Sequence, residues 1–428
     1  MRRYGIDVRE IMSNDAVVIV GAGQAGLQLA ASLRSGGYSG SIDLVGAEPH
    51  LPYQRPPLSK DYLAGSMGVD GLHLRGEAFF ADKQIRVHRA DAVVAVDRAR
   101  TSVRLQSGAE LRYDHLVFAT GADPRTLPVP GSDLPGVVTL RGIADADTLT
   151  GMLDAADRIV IVGGGFIGLE LAAVARARGH EVTVVEGLER PMARVLSPEL
   201  SSHITTVHAE RGTQLLLART VSALHGRLGR VAEVELDNGV RLPADVVVMA
   251  VGVVPNVDLA AAAGLPVANG IVVDERLATS DHRISAIGDC ALFPNSHAHD
   301  RMVRLESVQN AVDQAKFVAA RILGAETPRY DCVPWFWTHQ FDIKIQMAGL
   351  PAPDDERMLL GDPTTGSFSV LRFEDGLLNC VESVGNAADH MAARKILGSC
   401  TRPTLEIASR PGFTLKAFAR GGAPAYAA

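Results

Sequence analysis

Two glycine triads stand where this chain could hold an anionic ligand: Gly21, Gly23 and Gly26 in VIVGAGQAGLQLAA, and Gly163, Gly165 and Gly168 in VIVGGGFIGLELAA. In the G-x-G-x-x-G spacing the first glycine allows a tight turn. The second leaves room for a pyrophosphate against the backbone, and the third lets helix and strand pack closely. The helix N-terminus then turns unpaired amides toward the anion. An acid past the next strand can accept hydrogen bonds from ribose hydroxyls, and Glu48 and Glu186 stand there. One such spacing is a weak signal, because a structural turn uses the same glycines. Here each copy has strand, glycines, helix, second strand and acid in order, so both read as dinucleotide sites.

The elements that must position these residues follow from the flanking sequence. Val17 to Val20 and Ile159 to Val162 are β-branched runs that suit buried parallel strands. Leu27, Ala30, Ala31 and Leu33 fall at helical spacing, and Gly36 and Gly37 end that helix; Leu169 to Arg178 and Gly179 repeat the pattern. Ser41 to Val45 and Val182 to Val185 read as the second strands. Each half closes alike, with YDHLVFATG from Tyr113 and ADVVVMAVG from Ala244, a strand running into a small-residue turn. GIVVDERLATSDHRISAIGDCA follows, with Asp289 after a glycine. A carboxylate there suits the ribityl chain of a flavin and would make the second domain an insertion in the first. A plain turn residue is the other reading, and spacing does not separate the two. Two dinucleotides in one chain are most economically FAD and a nicotinamide, which exchange hydride directly. Glu186 favours NADH, since its carboxylate would repel a 2′-phosphate, although Arg190 lies close in sequence.

Bulk composition narrows the classes. A chain of 428 residues suits two or three domains. The net charge of −7 argues against nucleic acid as a partner. From Cys380 onward, however, six basic side chains stand against three acidic ones, so the tail is locally basic. No apolar stretch follows the opening MRRYGIDVREIMSND, which therefore does not read as a secretory signal, and Met12 is an alternative first residue. The longest apolar run, Val246 to Val254, is half of what a membrane span requires. The expectation is a cytoplasmic protein without a membrane segment. Cys290, Cys332, Cys380 and Cys400 form no CxxC pair, and His297 and His299 read as loop residues, not metal ligands.

YQRPPLSKDYL, LVFATGA, IVGGGFIGLELAA, VGVVPN, TSDHRISAIGDCA, RLESVQNA and PWFW occur in this order between about residues 16 and 400. Together they make the chain resemble the FAD-dependent NADH:ferredoxin reductases of bacterial cytochrome P450 and Rieske oxygenase systems. The resemblance implies an α/β fold of the glutathione-reductase type. It has a discontinuous FAD domain over 12–122 and 253–330, an inserted NAD domain over 123–252, and an α+β C-terminal domain over 331–428. It implies FAD on Gly21, Gly23 and Gly26, with Glu48, Arg55, Lys60, Ala122, Asp289, Val308 and Trp335 lining that cofactor, and NADH on Gly163, Gly165, Gly168 and Glu186. Lys60 would sit at the reactive edge of the flavin and Glu170 beside the nicotinamide.

Disulfide reductases on this scaffold need a reactive cysteine in the first domain. None precedes Cys290 here, and Cys290 belongs to the IGDC motif, so electrons must leave the flavin directly. Trp335 and Trp337 are the expected exit. The implied partner is an acidic [2Fe-2S] ferredoxin, met by Lys316, Arg394, Lys395 and Lys416, and the implied oligomeric state is a monomer. Gln346 departs from the family's basic pattern, with Lys344 two residues before it. Other readings on the same scaffold are an NADH oxidase, a rubredoxin or monodehydroascorbate reductase, and a regulatory flavoprotein like apoptosis-inducing factor.

Overall fold

The computed structural model describes residues 15–421, so the reading of the N-terminal segment lies outside the described residues. The chain divides into two compact units. One comprises the residues up to Gln54, His73–Ala122 and Pro255–Cys332; the other comprises Arg55–Leu72, Asp123–Val254 and the residues from Val333.

The first unit is built on a five-stranded parallel sheet in the order Ile284–Ala286, His115–Phe118, Ala16–Val20, Ser41–Val45, Ile85–His88. Val17, Val18 and Ile19 are wholly buried at its centre, because a parallel strand is covered on both faces. Helices Gln24–Ser35 and Val308–Ile322 cover it, with Leu29, Leu33, Ala315 and Val318 in one core.

The second unit repeats this sheet in the order Val137–Val138, Val246–Met249, Arg158–Val162, Glu181–Glu186, Thr213–Leu217, again all parallel. The repeat extends past what the sequence displays. Between the third and fourth strands in chain order of each β-α-β-β core, a three-stranded antiparallel sheet is inserted, Val93–Asp97 to Glu110–Arg112 in one unit and Val221–Arg227 to Arg241–Pro243 in the other. The second unit also holds a five-stranded antiparallel sheet, ordered Trp335–Gln340, Ile343–Gly349, Leu377–Val384, Ser367–Glu374, Glu356–Asp362. Helices Ala387–Leu397 and Leu415–Ala419 close one of its faces around Leu371, Phe373, Val381, Ile396 and Phe413.

These units are drawn differently from the expected domains. Arg55–Leu72, which carries Arg55 and Lys60, groups with the second dinucleotide sheet. The reason is local bonding: Tyr62 donates to Asp147 at 2.6 Å, Arg178 to the Leu63 carbonyl at 3.2 Å, and Arg55 to the Arg141 carbonyl at 2.7 Å. The residues from Val333 group there too. Glu382, wholly buried in strand Leu377–Val384, accepts from the amide and hydroxyl of Ser197, the N-cap of helix Pro198–Glu210, and from Arg372 at 2.8 Å. Burial pushes the Glu382 carboxyl upward, against the pull of Ser197 and Arg372. Arg372 also holds the buried Asp355 at 2.5 Å.

The glycines that packing requires can be told by their surroundings from the one expected at the ligand. A Cβ on Gly168 would lie 2.0 Å from the Gly163 carbonyl oxygen, whereas one on Gly165 would meet nothing within 4 Å. Gly168→Ala is therefore expected to lower stability by about 2 kcal/mol or more, while Gly165→Ala stays close to the parent in urea denaturation but weakens NADH binding. Equal destabilisation by the two would refute the division of roles.

Candidate functional site: two nucleotide loops and a buried ion pair

The first glycine loop has the shape its spacing implies. Gly21 adopts a φ of +117°, and a Cβ there would meet the Ala119 carbonyl oxygen at 2.1 Å. Gly26 abuts the Gly21 carbonyl at 2.0 Å from its absent Cβ. Gly23, the N-cap of helix Gln24–Ser35, faces open space and offers no side-chain cap, and the first turn carries no acid. An uncapped, charge-free helix start facing a clear space fits a pyrophosphate. Gly288, with a φ of +74°, brings Asp289 to the same end of the sheet, since its Cα side faces the Ala25 methyl of that helix. Ser307 caps the start of helix Val308–Ile322, and Ala122 is buried. The carboxylate of Glu48 accepts from the Tyr53 hydroxyl at 2.5 Å. Cys290 is fully buried with its Sγ 3.3 Å from the Ile287 carbonyl, and burial pushes its thiol up, so it is an inert core group.

The second loop is a near copy. Gly163 has a φ of +111° and abuts the Ala250 carbonyl, and Gly165 caps helix Phe166–Ala177 without a side chain. Glu186 ends strand Glu181–Glu186 and accepts from the Gly164 amide at 2.7 Å and the Leu188 amide at 2.8 Å. The guanidinium of Arg190 is committed to the Leu196 and Ala193 carbonyls and the Ser201 hydroxyl. Its closeness to Glu186 in sequence therefore does not make it a phosphate ligand.

Glu170, on helix Phe166–Ala177, is 5 % exposed. Its Oε2 accepts from Lys60 Nζ at 2.6 Å and from Ser59 Oγ at 2.6 Å, and its Oε1 accepts from Thr338 Oγ1 at 2.6 Å. Lys60 also donates to the Pro56 carbonyl at 3.2 Å. Lys60 and Glu170 are thus brought together. Ser59 and Thr338 went unnoticed in the sequence, although Ser59 lies inside PPLSK and Thr338 falls at period two with Phe336 in WFWTHQ.

A model of the pyridine nucleotide-disulphide oxidoreductases matches residues 15–315, and a reductase C-terminal model matches residues 335–419. The chain belongs to the pyridine nucleotide-disulphide oxidoreductase family. It is 49% identical to rhodocoxin reductase of Rhodococcus erythropolis over 401 residues, covering 94% of this chain and 93% of that one. The solved ferredoxin reductase for the CYP199A2 system of Rhodopseudomonas palustris superposes with a TM-score of 0.92 at 46% identity, covering 95% of this chain and all of that one. A covalent putidaredoxin reductase–putidaredoxin complex gives a TM-score of 0.91 at 37% identity over 96% of this chain and 99% of that one. As a member of the family, the protein is an FAD-dependent oxidoreductase that uses NAD(P)H.

Other expected residues of this oxidoreductase lie on the C-terminal sheet. Trp335 and Trp337 share a face of strand Trp335–Gln340, with ring centroids 5.5 Å apart. The Arg394 guanidinium stacks over the Trp335 ring at 4.4 Å, which fixes a long cationic side chain by cation–π attraction. Lys395 and Lys416 are exposed on the two helices that cover this sheet. Lys316 is exposed on helix Val308–Ile322 of the other unit, 3.8 Å from Asp313. Gln346, the departure from the family's basic pattern, pairs in register with Trp337 and is 8 % exposed, so it fills core. Among the described residues, no helix is long and apolar enough to cross a membrane.

His390 packs edge-on against Trp335, 1 % exposed, with no hydrogen-bond partner for either ring nitrogen. Burial first, then Arg394 and Lys344, push it down to about 4. An unfolded histidine titrates near 6.5, so the unfolded chain takes the proton first as pH falls, and stability is lost between about pH 6.5 and 4. His390→Phe is expected to remove up to about 2 kcal/mol of that loss at about pH 5, read as urea stability at pH 5 relative to pH 7.5. An unchanged pH slope would overturn this assignment.

Proposed function

We propose that the protein is an NADH:ferredoxin oxidoreductase that passes electrons from NADH through FAD to a [2Fe-2S] ferredoxin feeding a cytochrome P450 or Rieske-type oxygenase. The observation that carries this reading is the pair of dinucleotide loops in one chain with no cysteine before Cys290. The scaffold has two nucleotides to couple and no thiol relay between them. Bound FAD supplies the redox chemistry, accepting two electrons together as hydride and releasing them singly.

The chain's own residues bind, orient and neutralise. Gly21, Gly23 and Gly26 hold the FAD pyrophosphate, with Glu48, Arg55, Ala122, Asp289, Val308 and Trp335 along the cofactor. Gly163, Gly165 and Gly168 hold that of NADH, with Glu186 at its ribose. The Lys60 ammonium would offset negative charge on a reduced flavin, and Glu170, which would lie beside the nicotinamide, fixes that ammonium. Hydride transfer needs alignment and no general base, so this pair acts by charge and position. Trp335 and Trp337 form the exit. The domains that divide this work are 12–122 with 253–330 for FAD, 123–252 for NADH, and 331–428 for the partner. Arg394, Lys395, Lys416 and Lys316 attract an acidic ferredoxin to a chain of net charge −7. The relatives support the partner class: one solved relative serves a CYP199A2 system and another is joined covalently to its redoxin. The reading includes a cytoplasmic monomer.

The test is spectral. Anaerobic NADH should bleach a flavin spectrum, and an oxidised [2Fe-2S] ferredoxin should restore it while becoming reduced. Bleaching that no ferredoxin reverses would defeat the proposal. Arg394→Glu should lower the ferredoxin association rate by about tenfold at low salt, with little change in flavin reduction by NADH. NADH should exceed NADPH in kcat/KM by more than about tenfold, and Glu186→Ser should narrow that ratio. A preference for NADPH in the parent would refute the role of Glu186.

A further inference from the structure

Behind the Lys60–Glu170 pair lies a run of buried polar side chains that electron transfer does not itself require. Thr338 and Gln340 on strand Trp335–Gln340 and His208 on helix Pro198–Glu210 are wholly buried, and Thr213 on strand Thr213–Leu217 is 3 % exposed. Consecutive members are in hydrogen-bond contact. Thr213 Oγ1 is 3.3 Å from His208 Nδ1, and His208 Nε2 is 3.2 Å from Gln340 Oε1. Gln340 Nε2 is 2.9 Å from Thr338 Oγ1, and Thr338 Oγ1 is 2.6 Å from Glu170 Oε1.

The direction of every bond follows from the carboxylate. An ionised Glu170 only accepts, so Thr338 must donate its single hydroxyl proton to it. Thr338 Oγ1 then accepts from the Gln340 amide nitrogen. That orientation turns the Gln340 amide oxygen toward His208 Nε2, which must carry a proton. Nδ1 is left bare and accepts from the Thr213 hydroxyl. A neutral imidazole is required, and burial pushes His208 down to about 4. All four donors thus point one way and reinforce one another.

We propose that Thr338 is a positioning residue for Glu170, held by a one-way chain of donors that runs from Thr213 through His208 and Gln340 and ends on the carboxylate paired with Lys60. The chain keeps the Glu170 carboxylate aimed, and so keeps Lys60 in place. The inference rests on the proposed function only in placing Glu170 beside the nicotinamide.

The charged and titratable groups near the carboxylate are Lys60 and His339, the latter exposed between Thr338 and Gln340 and itself acted on by Lys344 and Asp61. His208 stands behind Gln340. Thr338→Val removes the donor and keeps the shape, Thr338→Ser keeps the donor, and both are made in a His339→Gln background so that His339 does not titrate. Without its donor the Glu170 carboxylate is no longer held in its aim, so kcat for NADH-driven flavin reduction should fall by about tenfold with KM for NADH little changed. Thr338→Ser should restore it. Infrared difference spectra give a readout without NADH or ferredoxin: the carboxylate stretch that Glu170→Gln removes should be shifted in Thr338→Val, where it loses the bond from Thr338. In the parent, nitrogen-15 NMR of labelled histidine should show His208 neutral with the proton on Nε2, a measurement that needs no variant. A His208 proton on Nδ1, an imidazolium, or a Thr338→Val protein whose carboxylate stretch and kcat match the parent would overturn the proposal. Failure of NADH to reduce the flavin would instead refute the proposed function and leave the infrared and NMR tests standing.

Discussion

A carboxylate taken out of water must be repaid in donors, and Glu170 is the place where the second unit meets that constraint. Leaving such a group buried and unpaired costs several kcal/mol. Three segments converge to satisfy it: the turn with Ser59 and Lys60, the helix behind the second glycine loop, and the strand with Thr338. This is the same list of segments that gives the unit its unexpected composition. Arg55–Leu72 joins it because the lysine and serine reach Glu170, and the C-terminal sheet joins it through Thr338 and through Glu382 with Ser197. The two buried acids, Glu170 and Glu382, tie the C-terminal sheet to different helices of the second parallel-sheet core, Phe166–Ala177 and Pro198–Glu210.

The strand Trp335–Gln340 carries this arrangement further, because its residues alternate between two faces. Phe336, Thr338 and Gln340 face those two helices: Phe336 meets Phe166 with ring centroids 4.7 Å apart, and the other two belong to the buried chain behind Glu170. Trp335 and Trp337 face the other way, with Trp335 against His390 and Arg394. One six-residue strand therefore orders a charge pair on one side and an aromatic, cationic surface on the other. A change that shifts its register would disturb both sides at once, since a slip of one residue exchanges the faces.

What was legible in the sequence was what is local. The glycine triads, the β-branched strands before them, the acids after them and the IGDC turn are each written within a few residues, and the backbone geometry of these segments follows from their side chains. Lys60 and Glu170 became visible only through the family resemblance. Ser59 and Thr338 were missed because their partner lies 111 and 168 residues away, and nothing in a single sequence pairs a serine or threonine with one distant acid. Gln346 is a related case: its identity was clear, but its burial opposite Trp337 depends on sheet register. Arg190 is the converse, suggestive by proximity to Glu186 and removed from that role by two carbonyls of its own loop and the Ser201 hydroxyl of the following helix.

The two nucleotide loops share the glycine triad and differ at the acid and at the residue facing it. In register, Val20 pairs with Val45 and Val162 with Val185, so the position of Glu186 in the second copy is that of Gly46 in the first. Glu186 turns its carboxylate back onto the Gly164 amide, and a Cβ on Gly164 would crowd that side chain at 3.1–3.3 Å. In the first copy the residue corresponding to Gly164 is Ala22, whose methyl lies 2.8 Å from where a Gly46 Cβ would be. The pairs are reciprocal: a glycine opposite a glutamate in one loop, an alanine opposite a glycine in the other. Either side chain fits, but not both, so an acid in the first copy has to stand farther along, at Glu48, and take its donor from Tyr53. A single methyl group in the loop thus decides where each fold presents its carboxylate, while the glycines that shape the phosphate cradle stay the same.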